Sequence, residues 1–226
     1  MIPRILEPEV MDSAEDAREY NDMDHAEVNQ LFVTDLGWEV SQCDLEGPLR
    51  LLDVGTGTAL IPIEVCRQAV EDHRIVGIDL AEEMLKLGNV NIAEAELTDR
   101  IELVCVDAKA IPPELDQFDI VFSNSIVHHI PEPLHVFQEM YRVLKPGGLL
   151  FVRDLRRPDS EKELNHLVQE YAGQESEYAR TLFANSLRAA LTLKEVNEIA
   201  KEAGIERFQL KATSDRHWTL SGAKAR

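Results

Sequence analysis

Leu51-Leu52-Asp53-Val54-Gly55-Thr56-Gly57-Thr58-Ala59 is the stretch on which the fold turns. An apolar run ends in an acid, and a glycine-rich turn then opens a helical pattern. Glycines at 55 and 57 leave the main chain bare, so a ligand can lie directly against it. The first N–H groups of the following helix have no intrahelical partner and point toward that ligand. Strand, bare turn and helix start, in that order, make a nucleotide-binding arrangement.

Outward from this turn the chain alternates. Residues 49–54, 74–79, 101–107, 118–124 and 149–154 are short, largely apolar, and rich in β-branched or aromatic side chains. Such runs suit strands covered on both faces. Helical patterns occupy 59–70, 81–97 and 133–144. The repetition predicts an α/β fold: a mostly parallel sheet with helices on both faces. Lys145-Pro146-Gly147-Gly148 stops the last of these helices and turns the chain into the next strand. Earlier, Val28, Leu31, Phe32 and Leu36 recur at helical spacing in an acidic segment, which predicts one or two helices ahead of the core. Polar helices around 161–172 and 176–190 predict a small cap over the carboxyl ends of the strands. Thr192-Leu193-Lys194-Glu195 reads as a capping box opening a helix that Gly204 ends, and 206–212 and 217–220 read as closing strands.

The balance of 23 basic against 42 acidic residues leaves a net charge of −19. A nucleic-acid binder needs a basic face to displace counterions, and Arg153, Arg156 and Arg157 form only a short basic group. DNA and RNA are therefore disfavoured, and an anionic membrane surface for the same reason. Cys43, Cys66 and Cys105 are widely spaced, with neither a disulfide framework nor a zinc spacing, so no metal is expected. No stretch approaches the roughly 20 apolar residues of a membrane span. Glu7, Glu9, Asp12, Glu15 and Asp16 arrive too early for a signal peptide, and a cytoplasmic location is expected.

In open parallel sheets, ligands bind outside the carboxyl ends of the strands. Those ends carry Asp53, Asp79, Asp107, Asn124 and Asp154: four acids and one amide. Asp79 stands 22 residues after Gly57, placed to accept hydrogen bonds from both ribose hydroxyls, though it can equally cap the next helix. Asp107 could accept from an adenine amine while the Ala108 N–H faces a ring nitrogen, or could simply be a solvated loop acid. A dinucleotide fingerprint would want glycine where Leu60 stands, and the Gly-Lys-Ser/Thr ending of a kinase-type phosphate loop is absent. No basic residue meets a pyrophosphate in the turn. A ligand with ribose and adenine but no phosphate fits better.

Together, Asp53-Val-Gly-Thr-Gly-Thr, Gly77-Ile-Asp79, Val106-Asp107-Ala108, Phe118-Asp-Ile-Val-Phe-Ser-Asn124 and Leu144-Lys-Pro-Gly-Gly148 resemble the successive motifs of class I S-adenosylmethionine-dependent methyltransferases. The similarity covers roughly residues 48–154 and the closing segment from Thr192. Ala59 replaces the family's usual third glycine. The resemblance implies a Rossmann-like seven-stranded sheet with its last strand antiparallel. It also implies one domain over 1–226: a helical lid (1–47), a cofactor-binding core (48–154), a cap insertion (155–191) and a closing segment (192–226).

Carried over, the Gly55-Thr56-Gly57 turn holds the methionine part of the cofactor with Asp53 near its amino group. Asp79 and Leu80 meet the ribose, Asp107 and Ala108 the adenine, and Asn124 the sulfonium region. Ser125-Ile-Val-His128-His129-Ile-Pro131 is similar to small-molecule members, including quinone-pathway C-methyltransferases.

Methyl transfer from a sulfonium needs alignment first, and a base only where a proton must leave. His128, His129 and Asp154 are the candidates for that proton; for the histidines, packing is the competing reading. Tyr20, His25 and Arg153 are candidates for contact with the acceptor, a small molecule; Arg156 and Arg157 can equally pair with surface acids. Two other classes stay open, a non-catalytic partner-binding module and a protein or RNA methyltransferase.

Overall fold

The computed structural model describes residues 2–8, 13–23 and 25–226. Two helices, α1 (Ala14–Asp22) and α2 (Ala26–Ser41), precede the alternation β1 (Arg50–Val54), α3 (Leu60–Gln68), β2 (Arg74–Asp79), α4 (Glu82–Glu94), β3 (Ile101–Cys105), β4 (Phe118–Asn124), α5 (Leu134–Val143) and β5 (Leu144–Leu155). Helices α6 (Glu161–Ala172), α7 (Glu177–Ala189) and α8 (Leu193–Glu202) follow, then β6 (Gln209–Ala212) and β7 (His217–Ala223). Among the described residues the strands form one seven-stranded sheet, ordered β3-β2-β1-β4-β5-β7-β6. Strand β1 pairs in parallel with both β2 and β4, whereas β7 runs antiparallel to β5 and β6. Strand order therefore reverses between β1 and β4, which opens a crevice at their carboxyl ends.

Successive strand residues face opposite sides of the sheet. Leu51, Ile75, Ile120, Phe122 and Phe151 face α2, α3 and α4, where they meet Phe32, Ile63 and Ile92. Leu52, Val76, Val121, Leu150 and Val152 face α5 and α8, against Phe137, Met140 and Val196. The Thr192–Glu195 capping box opens α8 as the sequence predicts.

Helix α2 is part of this core. Phe32 is fully buried, its ring edge-on to Phe151 at 5.2 Å and tilted to Phe122 at 6.1 Å. Phe32→Ala is expected to cost about 3–5 kcal/mol in urea unfolding. A loss below about 1 kcal/mol would show that α2 folds independently of the sheet.

Some boundaries differ from those predicted. Strand β5 begins at Leu144, which pairs with Phe118, and the register shifts before Ile120 pairs with Leu149. Pro146-Gly147-Gly148 is thus an irregularity inside the strand. Gly147 sits at φ +81°, and a Cβ on Gly148 would lie 2.7 Å from the Asp119 carbonyl oxygen. At the C-terminus, β6 starts later than 206 and β7 runs on past 220 to Ala223. Near the N-terminus, Ile2 is buried with Leu155, Leu164, Leu167 and Leu187. Arg4 donates to the carbonyls of Ala189, Pro131 and Ile130 at 2.7–3.0 Å, so this segment straps the cap helices to the loop after β4. Glu9 and Asp12 lie outside the described residues.

Candidate functional site

The turn after β1 is set by main-chain demands. Gly55 and Gly57 stand at φ +77° and +53°, where a Cβ is strained. The Gly55 and Thr56 N–H groups both donate to the Ile78 carbonyl at the end of β2, at 2.8 and 3.0 Å. A Cβ on Gly55 would stand 2.0 Å from Ile126 Cγ2, so the loop after β4 closes directly on the turn. The bare side of Gly57 faces Tyr20 of α1, 3.8 Å from where a Cβ would be. Ala59 adopts the left-handed conformation at φ +63°, and Gly88 of α4 leaves room beside its methyl.

Asp79 braces two elements: Oδ2 accepts from Gly57 N–H at 2.8 Å and Oδ1 from Ala81 N–H at 3.0 Å. Beyond β3, Asp107 accepts from Lys109 N–H at 2.8 Å and pairs with Lys109 Nζ at 3.1 Å. These strand ends converge. Gly55, Gly57, Asp79, Leu80, Asp107, Ala108 and Asn124 line one open pocket together with Tyr20. Ile78, Met84, Val106, Ile126 and Ile130 add apolar surface on which a flat ring can pack, and His129 lines the same pocket.

Asp53 and Thr56 stand behind the turn, 2% and 7% exposed, off the pocket wall. Burial pushes the Asp53 carboxyl up to about 7; the neighbouring Thr56 hydroxyl opposes that rise and the Asp79 charge adds to it. Tyr20 is 38% exposed as a side chain, yet its hydroxyl is sunk beside Asp53 and Asp79, and burial with their charges pushes it up to about 12.

The Asp53 shift has a sign that can be checked. The folded chain keeps a proton that an ordinary aspartate releases near 3.8, so the folded state holds more protons between 3.8 and about 7. Asp53 therefore makes stability fall as pH rises through that window, with no further loss above it. In thermal melts, Asp53→Asn is expected to gain steadily on the wild type from pH 4 to about 7 and then hold level. Parallel pH profiles would show that Asp53 is ionised in the fold throughout.

Two of the three proton-handling candidates lie off the pocket. His128 is 4% exposed and Asp154 1%, and the two are bonded Nδ1 to Oδ1 at 2.5 Å. Asp154 also accepts from the N–H groups of Val127 at 2.5 Å and His128 at 3.2 Å, which fixes the short 3-10 turn Val127–His129. Burial opposes both charges. The mutual pairing outweighs it, raising His128 above the ordinary histidine value and holding Asp154 below the usual carboxylate range. The His129 ring lies beside that of His128, centroids 4.2 Å apart, and also lines the pocket; burial with the His128 charge lowers it to about 3.

His25 Nε2 meets the Tyr20 carbonyl at 2.8 Å and its ring lies 4.6 Å from the Tyr20 ring, so it supports Tyr20 from outside the pocket. Arg153 is buried away from the pocket: it pairs with Asp35 of α2 at 2.6 Å and donates to Thr219 at 2.9 Å. Arg156 and Arg157 pair with Glu163 and Glu195 at 2.9 and 2.6 Å. Sequence reasoning passed over Glu7, whose Oε1 comes within 3.5 Å of His128 and 3.2 Å of His129. No local pattern marks it, because the strap brings it there across the whole core. Ile126 and Met84 were missed as well, being ordinary apolar residues until the turn closes on them.

Residues 52–152 match the protein family described as a methyltransferase domain. The 27-O-demethylrifamycin SV methyltransferase of Amycolatopsis mediterranei is 30% identical over 158 residues, 70% of this chain and 54% of that protein. The demethylmenaquinone methyltransferase of Listeria monocytogenes is 36% identical over 110 residues, 49% of this chain and 46% of that one. The chain spans about half the length of the curated relatives it matches. Among solved structures, the plantazolicin methyltransferase BpumL in complex with SAH has a TM-score of 0.74 at 15% identity, over 93% of this chain and 89% of that chain. That likeness is one of fold.

Proposed function

We propose, for a chain whose residues 52–152 match a methyltransferase-domain family, that it transfers the methyl group of S-adenosylmethionine to a small-molecule acceptor and leaves S-adenosylhomocysteine. One observation carries this reading. Three separate strand ends bring Asp79, Asp107 and Asn124 into the same pocket as the bare Gly55–Gly57 main chain. The donor set fits the cofactor. Asp79 and Asp107 on the pocket wall offer acceptors for hydroxyl and amine donors, and the turn offers no base for a phosphate. Asp79 would hold the ribose, with Leu80 alongside; Asp107 and Ala108 the adenine; Gly55, Thr56 and Gly57 the methionine portion, with Asp53 behind it; and Asn124 the sulfonium side.

The bound cofactor supplies an electrophilic methyl group on a good leaving group. The protein's task is then to align the acceptor with that methyl and to exclude water. His129, which shares the pocket wall with Asn124 and Ile130, would orient the acceptor. Tyr20 would cover the site from α1. Relatives named for a rifamycin and a menaquinone precursor support a small organic acceptor. The net charge of −19 argues against a polyanionic one and against a charged membrane surface. Among the described residues no helix is long and apolar enough to cross a membrane, in keeping with action in the cytoplasm.

Calorimetric titration with S-adenosylmethionine tests the first half, and saturable binding is expected. Incubation with methyl-labelled cofactor and a metabolite extract tests the second, with label expected in small molecules. Folded protein that binds no cofactor would sink the reading. Binding without any labelled product would instead favour a non-catalytic module, and label in macromolecules a protein or RNA methyltransferase.

A further inference from the structure

We propose that Glu7, His128 and His129 bind a divalent transition-metal ion of the zinc class, with Asp154 orienting His128 from behind. One donor atom from each of the three lies within 4.8 Å of the others. Glu7 Oε1 stands 3.5 Å from His128 Nε2 and 3.2 Å from His129 Nδ1. Ligands placed tetrahedrally about 2.1 Å from a zinc ion are about 3.4 Å apart, so the cluster is nearly at ligand spacing already.

Two of the three donor atoms lack any other use. Glu7 is nine-tenths buried, and its Oε2 accepts from Ser186 at 3.3 Å. Its Oε1 and His129 Nδ1 are both buried with no hydrogen-bond partner among the described residues. They approach to 3.2 Å but out of line for an N–H to donate, and buried polar atoms left so cost about 1–3 kcal/mol each. An ion set off the line between them takes a lone pair from each. His128 is prepared for the same role: Asp154 holds its Nδ1 at 2.5 Å, leaving Nε2 toward Glu7. A carboxylate behind an imidazole fixes the ring and raises its strength as a ligand.

Charge points the same way. Two buried carboxylates face two imidazoles, and Arg4, which donates to the His128 carbonyl at 3.3 Å, offsets only one of them, so with the rings neutral the cluster keeps a net negative charge that favours a cation. Two imidazoles and one carboxylate form a donor set that zinc shares with cobalt and iron(II). His129 also lines the pocket, so the ion would sit beside it. No sequence pattern marks this site, since the cysteines have no zinc spacing and Glu7 is remote from the paired histidines.

The test uses the full chain, stripped with a chelator, desalted and titrated with Co²⁺ under visible absorption. One equivalent of a ligand-field band is expected, displaced by Zn²⁺, with one zinc retained after desalting by elemental analysis. Glu7→Gln and Asp154→Asn are each expected to weaken Co²⁺ binding by about tenfold or more, while His166→Ala, at an exposed site, leaves it unchanged. Circular dichroism checks that each variant is folded. Folded wild type that shows no cobalt band and retains no zinc would overturn the site. So would a Glu7→Gln variant binding Co²⁺ as tightly as the wild type. Neither readout involves methyl transfer, so loss of this site and loss of the proposed activity are told apart.

Discussion

Replacing Asp79 with alanine is expected to weaken S-adenosylmethionine binding by about a hundredfold in a calorimetric titration. A hydrogen bond to a charged acceptor contributes about 1.5–3 kcal/mol, and two ribose hydroxyls would each lose one. At about 1.4 kcal/mol per tenfold, the lower end of that range already gives the hundredfold. Asp79 has a structural duty too, because it accepts from Gly57 and Ala81 N–H groups. Asp79→Asn separates the two roles. The amide oxygen still accepts from one N–H group, so the turn is supported while the charge is gone. An intermediate loss is expected for Asn and a full loss for Ala, with thermal melts close to wild type for Asn. A change of less than about threefold in Asp79→Ala would place the ribose elsewhere.

Gly55→Ala is expected to destabilise the fold by about 2–5 kcal/mol and to damage the pocket at the same time. Left-handed backbone with a Cβ costs about 1–2 kcal/mol, and Gly55 sits at φ +77°. The new Cβ would fall 2.0 Å from Ile126 Cγ2, an overlap that forces movement and costs about 1–3 kcal/mol more. Ile126 lines the pocket, so its displacement should carry into cofactor affinity. A double-mutant cycle resolves the parts: adding Ile126→Ala removes the 2.0 Å overlap with Cγ2, leaving the 2.9 Å approach of Cβ and the backbone strain. Gly55→Ala with wild-type urea stability would mean that the turn has another accessible conformation.

Much of this was legible before any coordinates, and the reason is locality. Period-two and period-3.6 patterns depend on neighbours within a few residues, so the strands and helices of the core could be placed within a short distance of their true ends. The exception at Leu144 follows from the same rule. A prolyl-diglycine run reads locally as a break, and the pairing of Leu144 and Leu149 on either side of it with β4 keeps it in the strand. The polar residues gathered in the pocket were legible because parallel strands in one sheet bring their carboxyl ends to one edge. Asp79, Asp107 and Asn124 needed no knowledge of distance beyond that.

Side-chain direction was not legible. Arg153 and Asp154 are consecutive on β5 and so face opposite sides of the sheet. Arg153 goes to Asp35 on α2 and Asp154 to the loop after β4, and neither reaches the pocket. His128 and His129 lie in one short turn with their rings 4.2 Å apart, yet only His128 reaches Asp154 and only His129 lines the pocket. By itself, then, the sequence determined the sheet, the bare turn at Gly55–Gly57 and the polar residues at the strand ends beside it, all products of short-range pattern. Which histidine meets the pocket, that Arg153 is structural, and that Glu7 joins the two histidines were decided by tertiary structure alone. Those contacts close across elements far apart in the chain, where only the packed core sets which way each side chain can point.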